Sequence, residues 1–186
     1  MNILVTFAHP DDETACGGTI AKLAEEGHNI YFLCQCNGNR GTYDPNIDSE
    51  KLAKIRAEEL REAAAVLGVE DVVILDNSDG DLQPTLSLRG EIIRAIRRWE
   101  TTIVFTHDPW LPYEAAPDHR YAGLMAVEAA VFSRFHNFYP EHKEEGLRPI
   151  QVGDVYLFST REPNVYIDIT KYIDLKIKAR LCHRSQ

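Results

Sequence analysis

The chain has 186 residues, 44% of them hydrophobic, and a formal net charge of −9. That length supports one domain with a full core, burying about two-thirds of the surface the unfolded chain exposes. The acidic balance argues against a surface that tracks nucleic-acid phosphates or an anionic bilayer, because both need clustered Lys and Arg, and it favours a neutral or cationic small molecule.

The apolar run Ile3-Leu4-Val5-Thr6-Phe7 predicts a buried strand over Asn2 to Ala8, and Ala8-His9-Pro10-Asp11-Asp12-Glu13 sits at its exit. An imidazole and three carboxylates massed where a strand opens into a helix raise one another's pKa and cost stability unless a cation sits among them. A divalent metal is the simplest such cation. His9 and Asp12, three residues apart across the Pro10 bend, can turn toward one ion, which leaves Asp11 to handle a proton. Helix capping accounts for any one of these acids alone, but less well for the group.

A helix is expected from about Glu13 to Glu26, stopped by Gly27, and then a second buried strand from Asn29 to Cys36. Cys34 and Cys36 alternate onto one face of that strand as core thiols. With Cys16 and Cys182 they match no zinc ribbon and no disulfide framework, so reduced, buried cysteines are expected. The loop Asn37-Gly38-Asn39-Arg40-Gly41 has the chemistry of a turn that approaches something closely. A helix capped by Ser49 runs to Leu67 and stops at Gly68; a third strand, Val72 to Leu75, enters the acidic loop Asp76 to Asp81.

A helix from about Ser87 to Trp99 precedes a fourth strand, Thr102 to Thr106. The loop His107 to Pro117 is rich in Pro and aromatics and is read as ordered. Pro117 or Asp118 opens a helix to about Phe135, packed through Leu124, Val127, Ala130 and Val131. Residues 136–150 read as a polar surface excursion. Val155 to Ser159 and Val165 to Ile169 are expected as two short strands. The last helix, from near Lys171, carries Ile173, Ile177 and Leu181 and meets no stop signal before Gln186, so further carboxyl-terminal sequence is expected. No apolar run approaches ~20 residues and the amino terminus enters a strand directly, which predicts no membrane insertion, no signal peptide and a cytoplasmic location.

Strands alternating with helices specify an α/β fold: a Rossmann-like, doubly wound, mostly parallel sheet with helices on both faces, built as a single domain over 1–186. Such sheets bind ligands beyond the carboxyl ends of their strands, where the polar segments of this chain fall. A dinucleotide is disfavoured, because carboxylates occupy the turn that would face a pyrophosphate, and no Gly-x-x-x-x-Gly-Lys-Ser/Thr run exists. The best third metal ligand is His119, at the start of the helix after the fourth strand. Two imidazoles and one carboxylate leave positions open for water, as catalytic zinc requires; the same ligand types suit iron(II) or another divalent metal.

Ala-His-Pro-Asp-Asp-Glu at 8–13, Arg56 with Glu59 before Leu67-Gly68-Val69, Asp79-Gly80, Pro-Asp-His-Arg at 117–120, and the tail Ala179 to Gln186 together resemble the PIG-L/LmbE-like zinc-dependent N-deacetylases. The resemblance implies removal of the acetyl group from an N-acetylglucosamine-type sugar or glycoconjugate. It implies that His9, Asp12 and His119 hold Zn2+, that Asp11 is the general base and then the acid, and that Arg56 and Asp79 grip sugar hydroxyls. Tyr113 resembles a substrate-facing tyrosine of some relatives, and homo-oligomeric assembly is expected on the same ground.

One departure stands out. The family usually has His-Pro-Asp-His, whose first imidazole helps stabilise the oxyanion and whose Asp orients it; here Ala116 precedes Pro117-Asp118-His119. An oxyanion donor is worth ~10²–10³ in rate. His107 or Tyr113 could substitute for it; otherwise the chain is a metal- or sugar-binding relative with weakened or lost turnover. An iron(II) oxygenase is the remote third reading.

Overall fold

The computed structural model describes residues 1–186. Five strands, β1 (Asn2–Phe7), β2 (Asn29–Cys34), β3 (Asp71–Ile74), β4 (Ile103–His107) and β5 (Asp154–Phe158), form one sheet in the order β3-β2-β1-β4-β5. All four pairings are parallel. Parallel neighbours need a crossover, and α1 (Gly17–Glu25), α2 (Ser49–Leu67), α3 (Leu86–Arg98) and α4 (Pro117–Phe132) supply one between each successive pair, with α5 (Ile173–Arg180) following β5.

The period of two along β1 divides its side chains between two cores. Ile3, Val5 and Phe7 pack with Ile20 of α1, Leu60 and Leu67 of α2 and Ala179 of α5, while Leu4 packs with Ile92 and Ile96 of α3 and Ala122 and Met125 of α4. Each such buried aliphatic contributes about 1.5–3 kcal/mol, so helices on both faces are needed to cover a sheet this apolar. The order reverses at β1, whose neighbours are β2 and β4. The crevice beyond β1 and β4 is therefore where this topology receives a ligand.

Several local expectations change. The strand expected over Val165 to Ile169 is not formed, because β5 is an edge strand and this segment pairs with nothing; Val165 and Tyr166 are exposed. Its apolar alternation imitates a strand without a neighbour. The first helix is split, with a 3-10 turn at Asp12–Ala15 before α1. Asp48, not Ser49, caps α2, accepting from the Lys51 amide at 2.8 Å. β2 ends at Cys34, so Cys36 leaves the strand's alternation and joins the opposite core. All four cysteines are free. α4 buries Ala122, Met125, Ala126 and Ala129 and exposes Val131, since small residues let it lie close to the sheet. The excursion at 136–150 is tied down by Arg97 of α3, which donates to the carbonyls of Ser133, Phe135, Phe138 and Tyr139. No helix is long and apolar enough to cross a membrane.

A candidate metal centre at the strand exits

β1 delivers His9 through Asp12, and β4 with the start of α4 delivers His107, Asp118 and His119. Pro117 occupies the first turn of α4, where its missing N–H costs nothing. Ala116 has no side chain with which to cap that helix. Its amide donates instead to Glu114 Oε1 at 2.8 Å, so the loop carboxylate does the work and comes to lie beside His119.

Asp12 is the hub. Its Oδ2 lies 3.5 Å from His9 Nδ1 and 3.2 Å from His107 Nε2, and its Oδ1 lies 3.4 Å from His119 Nε2. One atom each from His9, Asp12 and His119 falls within 4.8 Å of the others. Ligand atoms about 2.0–2.2 Å from a tetrahedral zinc stand roughly 3.3–3.6 Å apart; the His9 and His119 nitrogens stand 3.5 and 3.4 Å from the two oxygens of Asp12, in that range, and small side-chain rotations would bring one atom of each residue onto a common ion. The far nitrogens fit as well. His9 Nε2 is 2.8 Å from Asp118 Oδ2, and His119 Nδ1 is 3.4 Å from Glu114 Oε2. A carboxylate behind each imidazole fixes the tautomer that offers its other nitrogen to a metal, the usual arrangement around ligating histidines.

In the metal-free protein the same contacts act on protons. Burial works against the His9 imidazolium, but Asp12 and Asp118 outweigh it and raise its pKa to about 9. Burial and the neighbouring His9 charge also oppose the His119 imidazolium, but Asp12 and Glu114 outweigh them and raise its pKa. Burial also opposes the Asp12 carboxylate, and the three imidazoles around it hold it well below the usual range. Asp11 shifts the other way, upward, through burial and the Asp12 charge, partly offset by Arg56. A carboxyl raised in this way is better matched to proton transfer near neutrality.

Asp11 has φ 144, a conformation that costs a non-glycine residue about 1–3 kcal/mol and persists only where the surroundings enforce it. Arg56, 3% exposed, does so from α2: its Nη2 donates to Asp11 Oδ1 at 3.0 Å and to the Pro10 carbonyl at 2.7 Å, and its Nη1 reaches Asp79 Oδ2 at 3.2 Å. Asp79 Oδ1 in turn accepts from the Gly38 amide at 2.9 Å. Gly38, with φ 78, must be glycine, because an added Cβ would lie 2.8 Å from Arg56 Cδ.

Two lobes of a cleft meet at Asp11, Asp12 and His119. One of about 490 Å³ includes His9, Arg40, Arg56 and Asp79; the other, about 530 Å³, includes His107, Asp108, Glu114, Lys176 and Arg180. A larger apolar hollow beside β5, about 590 Å³, shares only Ala15 with that second lobe.

The structure thus brings together His9, Asp11, Asp12, Arg56, Asp79, His107, Asp118 and His119, and leaves Tyr113 out: it is 94% exposed on the loop before α4 and lines neither lobe. Asp118 turns to His9 and to the Gly80 amide at 2.6 Å, away from the orienting task at position 116. His107 is buried, bonded to Asp12 and stacked on His119 with ring centroids 4.4 Å apart, so it buttresses the cage. Glu114 was not expected from sequence. Its only signal was an acid three residues before the helix-opening Pro117.

A parallel α/β sheet with a two-histidine, one-carboxylate cage at its switch point, and a strained acid alongside, has the form of a metal-assisted enzyme site. The chain matches the PIG-L family, described as GlcNAc-PI de-N-acetylase, over residues 4–130, and it belongs to that family. Deacetylases of the family are metal-dependent. The chain is 38% identical to the diacetylchitobiose deacetylase of Thermococcus kodakarensis, over 99% of this chain and 69% of the relative. It superposes on the structure of N,N'-diacetylchitobiose deacetylase from Pyrococcus horikoshii with a TM-score of 0.95 at 38% identity, covering 100% of this chain and 70% of that one. The 4-oxalmesaconate hydratase of Pseudomonas putida is also similar, 28% identical over 98% of this chain and 73% of its own.

Proposed function

We propose that the protein is a zinc-dependent hydrolase that removes the acetyl group from an N-acetylglucosamine-type sugar or glycoconjugate. The observation that carries the reading is the His9–Asp12–His119 cage, each of whose imidazoles is backed by a carboxylate, with Asp11 beside it. Zinc held there supplies Lewis acidity, making water more acidic and the amide carbonyl more electrophilic.

Asp11 takes the proton from the attacking water and passes it to the departing amine nitrogen, so that acetate and a free amine result. Arg56 keeps that carboxylate aimed and, with Asp79, walls the lobe that receives sugar hydroxyls. His107 and Asp118 orient Asp12 and His9. Homo-oligomeric assembly and a cytoplasmic location belong to the same reading.

The test is acetate release from N-acetylglucosamine, diacetylchitobiose and N-acetylglucosaminyl malate by protein loaded with an equivalent of zinc. Asp11→Asn should keep the metal and lose about 10²–10⁴-fold in kcat, the usual contribution of a general acid–base group, whereas His119→Ala should lose the metal. Ala116 favours one second reading, a binding relative with feeble turnover. That reading wins if Asp11→Asn leaves every measurable activity unchanged, and hydration of 4-oxalmesaconate without acetate release would replace both.

A further inference from the structure

Glu13 follows Asp12 directly in the 3-10 turn, and the metal cage makes no use of it. Its Oε1 lies 2.7 Å from His183 Nε2 across 170 residues of sequence, and both side chains are 0% exposed. Glu13 Oε2 and His183 Nδ1 have no partner at all. Burying these two groups costs several kcal/mol before their mutual attraction is counted, so the contact is an expensive way merely to fill space.

The segment carrying His183 is itself fastened down. Arg184 pairs with Glu62 at 2.8 and 3.0 Å, and Ser185 donates through its amide and hydroxyl to Glu59 at 3.0 and 2.6 Å. Glu59 lies one turn along α2 from Arg56, the residue that grips Asp11 and the Pro10 carbonyl. The turn with Asp11 at φ 144 is therefore held at both ends from one helix: through Arg56 before Asp12, and through His183 after it.

We infer that His183 is a positioning residue, whose buried contact with Glu13 holds the Asp11–Asp12 turn in its strained form and so places the Asp11 carboxylate for proton transfer. The inference rests on the deacetylase reading for its kinetic consequence, but not for its structural one.

The experiment compares His183→Leu, which removes the donor, with His183→Gln, whose amide nitrogen stands near the place of Nε2. In zinc-loaded full chain, His183→Leu should lower kcat for acetate release about ten- to a hundredfold, the scale of a small misplacement of a reacting group, with KM within about twofold and zinc content unchanged. Amide exchange over residues 9–16 of the metal-free protein should accelerate. His183→Gln should restore most of both. Unchanged kcat and exchange in His183→Leu, a Gln variant no better than Leu, or zinc lost in step with activity would each overturn the inference.

His183→Leu strands a buried carboxylate, so if it does not fold, the double change Glu13→Leu with His183→Leu carries the kcat, zinc and exchange measurements with the same expected and overturning results, and His183→Gln is then compared with the unaltered protein, near-normal values being expected and values matching the double variant overturning the inference. Should the unaltered protein release no acetate from any substrate, the deacetylase reading falls. The exchange measurement then decides by itself whether His183 holds the turn.

Discussion

Asp12 faces His9, His107 and His119, and this concentration of charge sets how the metal-free protein responds to pH. The folded pKa of His9 is about 9 against an ordinary value of 6.5, and His119 moves in the same direction. Groups raised on folding contribute stability that is fully present below the unfolded value and is lost as pH rises through the folded one. Asp12, lowered on folding, contributes in the opposite sense: its share is present above the ordinary 3.8 and disappears in acid as the pH falls through the lowered value. The urea midpoint of metal-free protein should accordingly fall between pH 6.5 and 9. A midpoint flat across that interval would show that the carboxylates do not hold His9 and His119 in their protonated forms. Zinc takes the place of those protons, so its affinity should rise over the same interval.

At the scale of elements, the site depends on how closely α4 approaches β4. Gly123, one turn after His119, makes that approach possible: an added Cβ would stand 2.5 Å from the His107 carbonyl oxygen and 3.2 Å from Pro109 Cδ. The obstacle is backbone, which cannot rotate aside. Gly123→Ala should therefore destabilise the fold by about 1–3 kcal/mol, the usual cost of overpacking. Because His107 and His119 ride on the two separated elements, zinc affinity should drop about tenfold. Denaturant unfolding together with a zinc titration checks both, and normal affinity in a destabilised variant would mean that the cage does not depend on this contact. A simple Ala→Gly change elsewhere on α4 would weaken the helix without moving His119.

For the whole molecule, the sheet has two separate cores, but the cage joins β1 to β4 and α4 at a single point. A ligand that binds only when those exits are assembled stabilises the entire fold by mass action. At free zinc a hundredfold above its dissociation constant, the gain is about 2.7 kcal/mol. Thermal unfolding followed with zinc and then with chelator should show that difference in the unaltered protein and almost none in His119→Ala. An equal response in both would place the ion elsewhere.

The parallel α/β architecture was legible in the sequence because its signals are local: apolar runs of strand length, helix stops such as Gly68, and polar segments at every strand exit. His9, Asp11 and Asp12 can be read together because they lie within three residues of one another, and His119 because it opens the helix after the fourth strand, where the ligand crevice of such a sheet falls, a choice the family resemblance then agrees with. The false strand at 165–169 and the exposure of Val131 on α4, where Leu124 and Ala130 do pack, share one cause, since pattern records which side chains are apolar but not whether a neighbour exists to bury them. Nothing local reveals that Asp118 backs His9, that Glu114 backs His119, or that Glu13 is met by His183, 170 residues away. Those pairings depend on which loops the strand order 3-2-1-4-5 sets side by side, and so on the topology of the sheet as a whole. The residue types available for catalysis were determined by sequence alone; which of them are free to act, and which are spent holding the others still, was decided only when the chain closed into its tertiary structure.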